Sequence, residues 1–369
     1  MREKPAPASK IAPSFSKQLS QHKIDHNGCM LGKVRFYEIV GLLLLSVTLA
    51  IGRTGTSKAG EMTSTLLIGG SKIDVTIEAG AMKLSQAELL HWAQMAAEAV
   101  AAYYGRYPVP HAQIRIIPVD GSGIRHGQTF GYDGGLIKIR VGADTTPAEL
   151  ASDWMLTHEM VHLSFPSMAD EHHWIEEGIA VYVEPIARIQ ARQMSAEQMW
   201  ADLVRDMRKG QPQEGDRGLD QTHTWGRTYW GGALFCFVAD VQIRKQTHNQ
   251  KGLQDALRGI LDAGGDITHD WELAAAFKTG DKATGTTVLG DLYSAWKDKP
   301  VQVDLTDMWQ ELGITPDGKN VRLSEDAPLA AVRQAITAPQ PSRPNSAGID
   351  PLPVIFAGRS VSRSWFGAP

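Results

Sequence analysis

The chain has 369 residues, 43% hydrophobic, 21% charged and 7% aromatic, with a formal net charge of -4. That balance supplies enough apolar side chain for a real core, and it excludes a largely disordered chain, a collagen-like repeat and a polytopic membrane protein. With no cationic excess to attract a phosphate backbone, nucleic acid is excluded as an expected partner.

In chain order, residues 39–51 (IVGLLLLSVTLAI) form a charge-free apolar run preceded by Lys33 and Arg35 and followed by Ser57-Lys58-Ala59. This is the pattern of a secretory signal peptide with a small-x-small cleavage site, and Met30 is an alternative start that shortens its n-region. The run is too short to cross a ~30 Å bilayer core as a helix, which needs ~20 residues. The alternative is an uncleaved anchor extended through Phe36 and Tyr37. Residues 1–59 are therefore expected to be a signal peptide or N-terminal anchor, the mature chain to start near Gly60, and the protein to be exported to the periplasm or beyond, or held at the membrane by that anchor alone. Of the two cysteines, Cys29 precedes this segment, so Cys236 is left without a disulfide partner.

The stretch TLLIGGSKIDVTIEAG reads as a hairpin with Gly69-Gly70 at its turn. Ser85 and Glu88 form a capping box ahead of an amphipathic helix that ends at Gly105. Strand candidates follow at residues 114–119, around Thr129, and at residues 136–141. Thr146-Pro147-Ala148-Glu149 then combines an N-cap, a proline at the first helical position and a capping-box glutamate, and predicts one helix through LASDWMLTHEMVHL up to Pro166. Another helix is expected at residues 174–189. Beyond Met194 the pattern is almost wholly helical, and from residue 337 to 369 a Pro-, Ser-, Gly- and Arg-rich tail is expected to be disordered. The class is α+β: a small mixed sheet with active-site helices over residues 60–193, then a mainly helical lobe over residues 194–336.

His158-Glu159-Met160-Val161-His162 is an HExxH pattern. On a helix the i, i+4 spacing puts both imidazoles on one face, able to grip one zinc ion, with Glu159 aimed at the metal's water as a general base. The competing reading is an amphipathic helix with two polar-face histidines. Trp154, Met155, Leu156, Met160, Val161 and Leu163 leave little polar face, however, and burying His, Glu and His without a partner costs several kcal/mol. A catalytic zinc needs a third protein ligand. His172, His173, Glu176 and Glu177 are all candidates by position.

The segment Trp174-Ile175-Glu176-Glu177-Gly178-Ile179-Ala180-Val181-Tyr182 resembles the W-x-x-E-G-x-A-x-Y segment of gluzincin metallopeptidases, the peptidase MA-like clan typified by aminopeptidase N and glycyl aminopeptidase. The resemblance implies a thermolysin-like zincin catalytic domain. It also implies Glu177 as third zinc ligand. By position, Glu176 is the alternative, a solvated acid beside the site, His172 and His173 are loop residues within reach of substrate, and Glu184, two turns beyond Glu177, is a salt-bridge former. Arg227-Thr228-Tyr229-Trp230-Gly231-Gly232 is similar to the tyrosine segment of the same families, which implies that the Tyr229 hydroxyl stabilises the oxyanion. A core tyrosine is the competing reading, and the family lysine is replaced by Trp230 or Gly231. In the aminopeptidases of this clan a glutamate beside the cleft holds the substrate's free amine. The matching stretch here, Gly134-Gly135-Leu136-Ile137, has no acid, so Gly134, Gly135 and Leu136 are candidate substrate-binding residues, with Asp133 as a substitute anchor and Lys138 or Arg140 as attractors of an acidic group. The resemblance thus implies an exported zinc metallopeptidase acting on peptide or protein through a zinc-activated water, as an endopeptidase or with unusual specificity. An aminopeptidase and a non-catalytic zinc-containing binding protein are the alternatives.

Overall fold

The computed structural model describes residues 60–338. The expected leader, its cleavage pattern and Cys29, like the tail from residue 339 onward, lie outside the described residues. Strands β1 (Met62–Ile68) and β2 (Ser71–Ile77) form the expected hairpin. Its turn requires glycine twice, because Gly69 and Gly70 both have positive φ (58° and 83°). Helix α1 (Gln86–Tyr104) starts at the Ser85/Glu88 capping box and stops at Gly105, which is in the left-handed conformation.

β3 (His111–Val119), β4 (Ile124–Phe130) and β5 (Leu136–Gly142) complete a five-stranded sheet in the order β1-β2-β3-β5-β4. The β2/β3 and β3/β5 pairs are parallel, and the β1/β2 and β4/β5 pairs antiparallel. Alternation divides the sheet into two faces. Ile73, Val75, Ile114, Ile116, Ile137, Ile139 and Val141 are fully buried on the helix side, each stabilising the fold by about 1.5–3 kcal/mol. Lys72, Arg115, Lys138 and Arg140 alternate onto the opposite face. A bulge between Ile124 and His126 adjusts the register of β4 so that Gly127 and Thr129 pair with Ile139 and Ile137 and share their face.

The single long helix expected from Thr146 is two helices, α2 (Pro147–Ala151) and α3 (Met155–His162). The cause is Asp153, whose carboxylate accepts from the Met155 and Leu156 amides (3.0 and 3.1 Å) and from Trp92 Nε1 of α1 (3.1 Å). Its side chain competes with the helix ladder and restarts it. Helix α4 (His173–Gln190) is almost entirely buried among α1, α3 and α6. The helical remainder comprises α5 (Ala196–Asp206), a π-helical segment (Gly226–Gly231), α6 (Gly232–Gln246), α7 (Leu253–Asp262), α8 (Leu273–Thr284), α9 (Val288–Trp296), α10 (Leu305–Glu311) and α11 (Ala330–Thr337). It is interrupted by an unexpected hairpin of β6 (Ile314–Asp317) and β7 (Asn320–Leu323), turning at Gly318. Cys236 is a buried free thiol. No helix among the described residues is long and apolar enough to cross a membrane.

Candidate active site

α3 carries His158, Glu159 and His162, and the first turns of α4 carry Glu176 and Glu177. Glu177 Oε2 lies 3.2 Å from His158 Nε2 and 3.7 Å from His162 Nε2. Together these are the one group among the described residues whose donor atoms, all within 4.8 Å of one another, suit a metal ion. A tetrahedral zinc with bonds of ~2.0–2.1 Å sets its donors ~3.4 Å apart. The two-imidazole, one-carboxylate set therefore fits that ion in both chemistry and spacing. Glu176 turns the other way: its carboxylate accepts from the Met168 amide (3.2 Å) and faces His173 Nδ1 (3.1 Å). His172 is likewise turned aside, with Nδ1 3.1 Å from Asp220, a carboxylate that also accepts from Trp174 Nε1 and the Tyr293 hydroxyl. Glu184 pairs with Arg188 at 2.9 Å. Among the described residues His158 Nδ1 is buried with no hydrogen-bond partner, so packing orients the ring: Trp154 and His162 both meet it edge-on, at 5.4 and 4.9 Å.

Glu159 lies against β4. Thr129 Oγ1 hydrogen-bonds both its carboxylate (2.7 Å) and its main-chain carbonyl (2.9 Å), and a Cβ at Gly127 would fall on the carboxyl group. Burial pushes the Glu159 carboxyl up to about 7 despite the opposing His158 charge and Thr129 hydrogen bond. Burial likewise holds His162 down at about 4. Burial also works against ionisation of Glu177, but the three histidines around it prevail and keep it well below the usual carboxylate range. Hydrogen bonding to Glu176 and Glu177 raises His173 to about 10.

Tyr229 sits in the π-helical segment, stacked on Trp225 at 6.1 Å and close enough to Glu177 and Glu159 that their charges, after burial, raise its hydroxyl well above the usual tyrosine range. The hydroxyl consequently stays protonated and can donate. Arg227 anchors the segment by pairing with Asp216 (2.7 Å) and donating to the Gly210 carbonyl. Close helix packing fixes it further: a Cβ on Gly178 would run into the Gly232 backbone, and one on Gly232 into the Trp174 carbonyl. The glycine after Glu177 and Gly232 thus meet at one crossing of α4 and α6.

The four candidate substrate residues lie at the β4–β5 turn and the start of β5. β5 is hydrogen-bonded on both sides, to β3 and β4, so it has no free edge; the edge strand is β4. Asp133 (φ 50°, exposed), Gly134 (half-buried) and Gly135 (buried) form the β4–β5 turn and Leu136 opens β5. Gly135 abuts Leu163, next to His162, and Gly134 abuts the His111 carbonyl. Lys138 and Arg140 alternate onto the face opposite the helices, Lys138 lying over the Phe130 ring at 5.3 Å. The sequence reading missed Gly127 as a neighbour of Glu159, although a weak strand around Thr129 pointed to the region. It also missed Asp220, for which the sequence holds no signal.

Comparison with family models and with curated sequences finds no match for this chain. Among solved structures, it is similar to an aminopeptidase N family protein from Idiomarina loihiensis, with a TM-score of 0.53 and 12% identity over 69% of this chain and 49% of that one. It also matches an M1 zinc metallopeptidase from Deinococcus radiodurans (TM-score 0.45, 14% identity, 67% of this chain and 54% of that one) and the same protein bound to a Tyr-Ser-Ala substrate (TM-score 0.44, 14% identity). The chain spans about half the length of these structures. What it shares with the Idiomarina protein is the α+β, zincin-like fold.

Proposed function

We propose that the chain is a zinc-dependent metallopeptidase holding one ion through His158, His162 and Glu177. The observation that carries this reading is the convergence of those three donors, at metal-ligand spacing, beside a buried glutamate and a protonated tyrosine. When bound, zinc supplies Lewis-acid chemistry, polarising water and the scissile carbonyl. Glu159, held by Thr129 and with a raised affinity for protons, takes the proton from the attacking water and passes it to the leaving amine. Tyr229 donates its hydroxyl to the developing oxyanion, an interaction typically worth about 10²–10³ in rate.

An internal peptide bond is the favoured target. The edge strand β4, IRHGQTF, contains no carboxylate to hold a free substrate amine, and its outer side, unpaired among the described residues, offers main-chain groups to an extended peptide. Asp133, the remaining acid for an aminopeptidase, stands exposed in the β4–β5 turn. The apolar run at residues 39–51 and Ser57-Lys58-Ala59 support export.

The test is Glu159→Gln. Zinc content, measured by elemental analysis, is expected to be unchanged, while hydrolysis of a mixed peptide library falls at least about 10²-fold, the scale of a lost general base. Full activity in the variant would remove the mechanism. No activity in either protein, with zinc bound in both, would favour a binding role.

A further inference from the structure

His173 is the first residue of α4, one turn before Glu177, and its ring is about half exposed (52%). It is not part of the three-donor group. Both its nitrogens nevertheless face carboxylates: Nε2 lies 3.3 Å from Glu177 Oε1, and Nδ1 lies 3.1 Å from Glu176 Oε2. Glu176 is itself tied by its other oxygen to the Met168 amide, in the loop joining α3 to α4. A continuous chain of contacts therefore runs from that loop through Glu176 and His173 to one oxygen of Glu177. The opposite oxygen, Oε2, is the one that His158 and His162 approach.

We propose that His173 is a positioning residue for the metal centre, holding Glu177 Oε1 so that Oε2 alone is presented to the ion. The inference rests on the zinc-peptidase reading of the site. A carboxylate free to rotate brings both oxygens to a metal and fills a coordination position; one pinned through Oε1 contributes a single oxygen and leaves that position open, as a catalytic zinc site requires. Partners of this kind, which orient a ligand without binding the metal, typically contribute 10–100-fold to metal affinity. The i, i+4 spacing of His173 and Glu177 on one helix face makes the contact local, so it depends on the side chain at position 173 and not on remote packing.

The experiment is zinc affinity of the full-length protein, measured by competition with a chromophoric chelator, for the unmodified chain, His173→Ala, His173→Gln and, as the reference for a lost ligand, Glu177→Ala. His173→Ala is expected to bind zinc 10–100-fold more weakly. His173→Gln, which retains an amide donor, is expected to recover part of that loss. Cobalt substitution gives a second readout: the visible absorption of the four-coordinate ion should weaken in His173→Ala as the second oxygen enters. Circular dichroism of the metal-free variants identifies any that fail to fold; if His173→Ala does, His173→Gln carries the comparison. Unchanged affinity and an unchanged cobalt spectrum would overturn the proposal for His173. A failure of the unmodified chain itself to bind zinc would instead overturn the reading of the whole site.

Discussion

Glu159 is a carboxyl group that folding must bury before it can act. Its proton affinity in the folded chain corresponds to about 7, against an ordinary value of 4.5, and burial is the main cause. Because the folded state binds the proton more tightly than the unfolded state, this group favours folding at low pH. Its cost appears as pH rises above about 4.5 and is complete once pH passes about 7, where it reaches about 3 kcal/mol. The metal-free Glu159→Gln variant should therefore melt higher than the metal-free parent at pH 8, with the difference shrinking toward pH 4.5. Thermal denaturation in the presence of a chelator measures this, and equal melting at both pH values would contradict it. At this scale the sequence was informative where chemistry is local: HExxH spacing placed the imidazoles of His158 and His162 on one helix face, with Glu159 beside them. It was uninformative where a partner arrives from far along the chain, as Asp220 does at His172 and Trp174.

Helices and their ends followed from periodicity and capping residues, as at Ser85/Glu88 and Gly105. The break between α2 and α3 did not, because apolar periodicity continues through residues 152–154 and only the three hydrogen bonds to Asp153 interrupt the ladder. The hairpin of β6 and β7 was overlooked inside a helical stretch, although Asp317-Gly318 is a hairpin-turn signature. The crossing of α4 and α6 yields a prediction at this scale. Gly178→Ala should destabilise the fold by about 1–3 kcal/mol, the usual cost of overpacking, and lower the turnover number by displacing Tyr229, with zinc content retained. Denaturant melts together with kinetics check both parts; a variant of unchanged stability would mean that the two helices separate at little cost.

At the scale of the molecule, strand identity was legible and strand order was not. The parallel pairings of β2 with β3 and of β3 with β5 are made through crossovers that leave no mark in local sequence, so nothing in it says that β4, and not β5, is the edge. That order bears on specificity, because neither β4 nor β5 supplies an amine anchor. Peptides with acetylated N-termini should accordingly be cut as fast, within about twofold, as the same peptides with free amines, monitored by mass spectrometry; a strong requirement for the free amine would restore the aminopeptidase reading and direct attention to Asp133.

The π-helical segment at Gly226–Gly231 has a further consequence. A π turn holds more residues than an α turn, so it behaves as an insertion absorbed within a helix. Deleting one residue there would let the segment wind as ordinary α-helix, with the flanks kept in register and the side chains inside the segment turned to new directions. Tyr229 would then leave Glu177 and Glu159, and no change in loop length before Thr224 could bring it back. This stretch should be the part of the chain least tolerant of length variation, although none of its residues other than Tyr229 has a proposed role in the chemistry.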